Sequence, residues 1–414
     1  MQPLCTWGLA AALALGADPT DTKPGNFDWP QWQGPDRTAL CKETNLLQEW
    51  PKAGPTLVWS VKNLGGGYST PSIAAGRVFG MSYRGDDEGV WALSEADGKE
   101  LWFTRIAAKG KAGYNEGPRC TPTVDGELLY ALGISGDLAC LEASTGKIRW
   151  QKNLKKDFGG QVGGWAYSES PLVDGDKLLV TPGGEKATIV ALDKKSGDLI
   201  WKGSVPKGNG AHYSSIIPAT VDGKRQYIQF LSGGVVGLDG DGKYLWRYDH
   251  QHNGTANCST PIYRDGHVFA SSNYGTGGGL VKLNRTDKGY TADEVYFEKK
   301  IANHHGGLVL VGDYLYGEGG GRLTCMEFKT GKVMWSEGKA GKGSILYADG
   351  RLYYRNEGGP IILVDANPEK YVERGRFNQP EKSGKNTWPH PVIANGKLYI
   401  RDQDLLYVYD VKAK

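Results

Sequence analysis

The chain is poor in the residues that announce familiar chemistry. Six cysteines occur in 414 residues, none adjacent and none in a CxxC pair. That excludes a dithiol redox motif, a CxxC-type zinc site and a CxxCH haem attachment. Neither GxSxG nor HExxH is present, so the signatures of a serine-hydrolase elbow and a zincin are missing. Basic residues never form a block, and the formal charge is only +3. A protein that tracks a phosphate backbone needs clustered cations, so nucleic acid is excluded as a partner. The nearest run, positions 152–156, is broken by Asn153 and Leu154 and reads as a solvated outer strand. Past the N-terminus no apolar run is long enough to cross a bilayer, so no membrane span is expected. Sustained 3.6-residue periodicity is absent as well, which argues against a helical fold.

What the chain has in quantity is glycine, 61 residues, with 22 tyrosines and 13 tryptophans. Aromatic-rich short segments punctuated by glycine turns indicate an all-β protein. At the N-terminus an apolar run over positions 4–15 is followed by Gly16-Ala17-Asp18-Pro19. We expect a signal peptide at 1–17 and a periplasmic or secreted mature protein, although no Lys or Arg precedes the run. Cys5 lies at the start of that run, not at its end, and is not placed to carry a lipid. Residues 18–54 read as a lead-in segment and 55–414 as the main domain. Cys41, Cys120, Cys140, Cys258 and Cys325 then remain, an odd number whose disulfide state the sequence leaves open.

The main domain is repetitive. Ala191-Leu192-Asp193, Gly197 and Trp201 define a frame that recurs at Ala92-Leu93-Ser94, Gly98 and Trp102. It recurs at Cys140-Leu141-Glu142, Gly146 and Trp150, at Cys325-Met326-Glu327, Gly331 and Trp335, and one residue shorter at Leu238-Asp239, Gly242 and Trp246. Cys140 and Cys325 thus stand at an alanine position. Ahead of each frame comes an Asp-Gly or Asn-Gly pair, as at Asp125-Gly126, Asp174-Gly175, Asp222-Gly223, Asp349-Gly350 and Asn395-Gly396. Such pairs between alternating strands are the strongest short-range hairpin signal.

One repeat is therefore one four-stranded antiparallel sheet. Trp59, Trp102, Trp150, Trp201, Trp246 and Trp335 mark outer strands, with Phe297 and Phe377 in the equivalent slots. A lone sheet cannot bury both faces, so the units must stack, and a ring leaves no end exposed. The last unit stops after Tyr409 without an outer strand, while an orphan strand surrounds Trp59. Pairing them closes an eight-bladed β-propeller, with seven blades as the nearest competitor. In blade 5, Gly277-Gly278-Gly279 is expected in a long loop, followed by a polar insertion at 284–294.

The Ala-x-Asp-x-x-x-Gly-x-x-x-Trp frame resembles the tryptophan-docking repeat of quinoprotein (PQQ-like) alcohol dehydrogenases and of the non-enzymatic BamB-like propellers, over residues 55 to 410. Trp29-Pro30-Gln31-Trp32-Gln33-Gly34-Pro35 resembles the lead-in of secreted PQQ-like repeat proteins. The resemblance implies that the tryptophans pack between blades. It also implies two functions. Quinoprotein dehydrogenases hold PQQ over the axis, with Ca²⁺ on the quinone, a catalytic Asp, and a disulfide between adjacent cysteines. This chain has no adjacent cysteines, and no acidic cluster matching that pattern.

In a propeller, the segments crossing from each outer strand to the next inner strand converge on one axial face. Here they hold Tyr68, Arg119, Trp165, Tyr167, Glu169, His212, Tyr213, Asn257, His304, His305, Trp388 and His390. We expect these residues to line a polar, aromatic axial pocket that takes a protein or small-molecule ligand. Arg119 and Glu169 are the charged candidates, since a charge in such a position must be paired or hydrated. His304 and His305, read as strand neighbours, should point to opposite faces and so not share a metal. No metal site and no catalytic residue are assigned. The leading expectation is a monomeric, non-catalytic binding scaffold without a cofactor. The alternative is a quinoprotein oxidoreductase using PQQ and Ca²⁺ on an alcohol or sugar, and a propeller hydrolase or lyase stands third.

Overall fold

The computed structural model describes residues 27–413 apart from positions 115 and 288, so the expected leader and Cys5 lie outside the described residues. It contains eight sheets built on four antiparallel strands. Blades 1 to 7 occupy 72–108, 123–153, 172–203, 217–248, 262–298, 308–337 and 343–377. Blade 8 combines three strands of 392–410 with the N-terminal strand Thr56–Val61. The expected hairpin turns form: at Asp222-Gly223, Asp349-Gly350 and Asn395-Gly396 both residues have positive φ, as a type I′ turn requires.

Closure is by antiparallel pairing of Thr56–Val61 with Leu405–Asp410, which sets Trp59 opposite Val408 and Ser60 opposite Tyr407. Two buried arginines reinforce the joint. Arg355 of blade 7 donates to the Arg401 and Pro389 carbonyls of blade 8 and to Gln379 Oε1. Arg401 in turn donates to Ser69 O and Ser82 Oγ on the blade 1 side. Burial lowers both, to about 10 and about 9, and leaves them charged.

The tryptophan repeat has a simple mechanical role. Trp59, Trp102, Trp150 and Trp201 each donate Nε1–H to a carbonyl in the next blade, those of Glu95, Ala143, Lys194 and Gly240. Each ring covers a glycine in that blade's outer turn, Gly98, Gly146, Gly197 and Gly242. Trp335 docks similarly on Asn367 O. Trp246 differs. It lies in the core between blades 4 and 5 but donates to Gln226 of its own blade.

One slot needs correction. In blade 5 the docking ring is Tyr296, which donates to Phe328 O and covers Gly331, whereas Phe297 stacks on His250. A bulge between Leu280 and Val281 sets this register. In blade 7 the expected aromatic docks: the Phe377 ring covers Gly54 (φ +82°), just ahead of the blade 8 outer strand, and Trp50 from the lead-in meets it edge-on. Three further expectations change. Gly277 to Gly279 open the strand Gly277–Thr286 rather than sit in a loop, and the polar insertion extends a hairpin with Gly289–Glu298. Their lack of side chains lets Phe269 and Tyr248 pack against the backbone. Beyond Asn153 the lysine run continues as a one-turn helix, Leu154–Phe158, capped by the Asn153 side chain.

Gly197 offers a direct test of docking. It has φ +76°, and a Cβ there would lie 2.8 Å from the Trp150 ring. Gly197→Val should cost about 3 kcal/mol, combining overpacking with left-handed strain. Gly175→Ala, at φ +61° in open space, should cost only about 1 kcal/mol. Urea midpoints of the two variants read the difference.

The lead-in is a strap across the ring. Trp29 bridges to Ile73 in blade 1, and Val124 N of blade 2 donates to Pro30 O. Arg37 donates to the carbonyls of Ser170, Pro171 and Ile216 at the inner strands of blades 3 and 4. Leu40–Cys41 then pairs parallel to the inner strand of blade 7, and Leu47 N donates to Val411 O. All five described cysteines are unpaired.

Candidate functional site

A cavity of about 640 Å³ opens on the axial face formed by the crossing segments. Eight of the expected residues line it: Tyr68, Arg119, Trp165, Tyr213, His304, His305, Trp388 and His390. Four stand behind its wall. Tyr167 is buried and donates to Pro182 O. Asn257 is buried and bonds the carbonyls of Leu231 and Ser232. His212 stacks behind Tyr213 and accepts from Asn257 N. Glu169 is buried between blades 3 and 4, accepting from Thr181 N and Gln229 Nε2, with Arg37 close enough to act on it electrostatically.

Trp388 is the hub of one wall. Tyr68, Tyr114 and His305 surround it at ring distances of 4.5, 5.0 and 5.2 Å, and its Nε1 donates to Glu357 Oε1 at 2.5 Å. A second wall pairs Trp165 with Tyr213, and a third sets Tyr274 edge-on to His304. From below, the strap contributes Trp32, whose indole donates to Thr260 Oγ1 and meets His390 at 4.6 Å. Trp32, Tyr114, Tyr274, Lys342 and Glu357 were not anticipated as lining residues. The Trp29–Pro35 motif was the available signal for Trp32, but its position under the ring depends on strap threading.

His304 and His305 lie in a loop, not a strand, so the expected divergence does not occur. Their Nδ1 atoms approach to 3.0 Å, and His304 Nε2 meets the Tyr274 hydroxyl at 3.0 Å. His390 Nε2 contacts His305 O. Burial pushes His304 and His390 down to about 4 and His305 well below the usual imidazole range, so all three are neutral near pH 7. Among the described residues no group of three or more His, Cys, Asp or Glu is arranged to hold a metal. Burial also pushes the Cys258 thiol up to about 12, leaving it un-ionised.

The cavity's charges are unequal. Lys342 is neutralised by Glu357 at 3.1 Å. Arg119 donates Nη2 to Gly113 O and Tyr114 O and sits over the Tyr68 ring, with no carboxylate partner among the described residues. Burial lowers its pKa, an effect partly opposed by neighbouring Tyr and Glu groups.

Buried acids provide a pH test. Glu88 accepts from Ile134 N, while its Oε2 has no partner, and desolvation raises its pKa to about 7. An acid raised above its unfolded value contributes stability below about pH 4.5 that is lost as pH rises through 7. Between pH 5 and 8 the wild type should therefore lose up to about 3 kcal/mol more than Glu88→Gln, measured by urea unfolding at both pH values.

The fold and site together define a closed, PQQ-like repeat propeller with an aromatic axial pocket. A sequence model of the family described as outer membrane protein assembly factor BamB matches residues 107–337, more than half the chain, and the protein belongs to that family. It is 24% identical over 344 residues to tetrathionate hydrolase from Acidithiobacillus ferrooxidans, covering 80% of this chain but only 56% of that protein. BamB from Shewanella oneidensis is 23% identical over 298 residues, 66% of this chain and 67% of that one. Among solved structures, quinohemoprotein alcohol dehydrogenase from Comamonas testosteroni matches with a TM-score of 0.66 at 15% identity, covering 94% and 81% of the two chains. BamB from Moraxella catarrhalis matches at 0.55 and 17%, covering 89% and 95%. These structural likenesses describe the fold alone.

Proposed function

We propose that the protein is a non-catalytic, exported binding propeller that takes a small-molecule ligand in its axial pocket. The carrying observation is the pocket itself: about 640 Å³, walled by aromatic rings and edged by a few polar groups, on a rigid ring. The leader-like composition of positions 1–17 and the family membership support export. Among the described residues no helix is long and apolar enough to cross a membrane. We take the working unit to be a monomer, because the closed ring buries the blade faces that would otherwise seek a partner.

A quinoprotein reading asks the pocket to hold PQQ with Ca²⁺, and the residues present do not fit that pair. Calcium takes six to eight oxygen ligands, usually including several carboxylates. Among the described residues the only carboxylate lining the cavity is Glu357, already tied to Lys342 and Trp388. The crossing segments hold no adjacent cysteines to pack on a quinone.

Thermal-shift screening of a metabolite and saccharide library, run beside Trp388→Ala, tests the reading. Ligands that stabilise the wild type and lose that effect in the variant are expected. Stabilisers acting equally on both proteins would remove the pocket from consideration. Calorimetric titration with PQQ and Ca²⁺, followed by dye-linked alcohol oxidation, should be silent, and stoichiometric binding with turnover would restore the oxidoreductase reading.

A further inference from the structure

We infer that the pocket's ligand is an acidic saccharide, a sugar unit whose carboxylate is received by Arg119 while its ring lies against the Trp388 and Trp165 walls. The inference rests on the binding-pocket reading above and specifies its ligand class.

Charge comes first. Lys342 and Glu357 cancel, and the buried histidines carry no charge near neutral pH. One cation without an ion-pair partner, Arg119, remains among the described lining residues, with Glu116 acting on it only at longer range. A half-buried charge is satisfied by a counter-charge or water, so the pocket favours an anion over a cationic ligand despite its aromatic walls. The two carbonyls that hold Nη2, at 2.7 and 2.9 Å, fix the plane of the guanidinium. Its Nε and Nη1 make no hydrogen bond to a described residue, and either can donate a charge-assisted bond to a carboxylate oxygen.

Size and wall geometry then select the body. An inorganic oxyanion would leave most of about 640 Å³ unfilled. The rings meet at steep angles, 69° for Tyr114 with Trp388 and 76° for Trp165 with Tyr213, so their faces look in several directions. Between them stand Asn386, Asn273 and Ser168. A pyranose has C–H groups on its faces and hydroxyls around its edge, and so offers apolar contact and hydrogen bonds in the same alternation.

Isothermal titration with digalacturonate, the neutral disaccharide lactose and tetrathionate tests the class. The wild type should bind digalacturonate at least tenfold more tightly than lactose, and Arg119→Gln should abolish that preference. A cooperative urea transition near the wild-type midpoint would show that the variant is folded. Equal or tighter binding of lactose, or tetrathionate binding as tightly as digalacturonate, overturns the inference. Failure of both sugars while other ligands show Trp388-dependent stabilisation also overturns it but leaves the pocket standing. Absence of any Trp388-dependent ligand removes both.

Discussion

Deleting residues 27–61 should leave a chain with no cooperative unfolding transition. The deletion removes the outer strand of blade 8 and the Trp59 dock on blade 1. It also strips Trp29, Leu46, Trp50 and Trp59 from the largest core cluster. At about 2–3 kcal/mol for each large apolar side chain, these four alone represent roughly 10 kcal/mol. That is comparable with the whole stability of a typical domain, about 5–15 kcal/mol. Differential scanning calorimetry should show a broad, weak transition or none. A sharp transition near the wild-type midpoint would mean that the ring holds without its N-terminal strand. The converse is a staple. Thr56 and Asp410 face each other at the end of the closing pair, at a separation that suits a disulfide. Oxidised Thr56→Cys/Asp410→Cys should gain about 3 kcal/mol or more, because it closes a loop of nearly the full chain, and a reductant should reverse the gain.

Arg37→Met should destabilise by about 3–5 kcal/mol, the usual cost of breaking a buried charge network by removing one partner. The Ser170 and Ile216 carbonyls lose the Arg37 donor, Pro171 O keeps only Thr123 Oγ1, and Glu169 loses the cation that opposes its desolvation. Glu169 is already pushed up to about 7 by burial, so without Arg37 it should rise further. Its stabilising contribution, present below the unfolded carboxylate range and lost as pH rises through the folded value, should then fade at higher pH than in the wild type. Urea unfolding at pH 5 and pH 8 gives both quantities. Arg37→Met combined with Glu169→Gln should recover part of the loss. No recovery would show that Arg37 acts through the carbonyls alone.

The two arms of the ring were unequally legible. Blades carrying the full frame, such as the one around Ala191 and Trp201, could be read directly because a glycine turn and a docking ring are local requirements. Blade 5 could not. There the slot is shared by adjacent aromatics, Tyr296 and Phe297, and only the bulge after Leu280 decides which one docks. In blade 7 Phe377 fills the slot as expected, its ring over Gly54 ahead of the closing strand. The limit met in blade 5 applies to the pocket. Residues on the crossing segments could be assigned to the axial face, but the choice between lining and backing could not. Tyr213 faces the cavity while the adjacent His212 stands behind it, and Glu169 is buried between blades 3 and 4.

The sequence by itself determined the repeat, the number of blades and the strand that closes the ring. Each of these is a pattern of turn residues and aromatics at short range, together with an unpaired strand at each end. Tertiary structure alone decided the course of residues 27–54 through the ring, the seating of Trp32 against His390, and the contact of His390 with His305. Those features arise from groups far apart in sequence meeting at one pocket. Their burial and partners depend on how the whole ring packs, which no local spacing encodes.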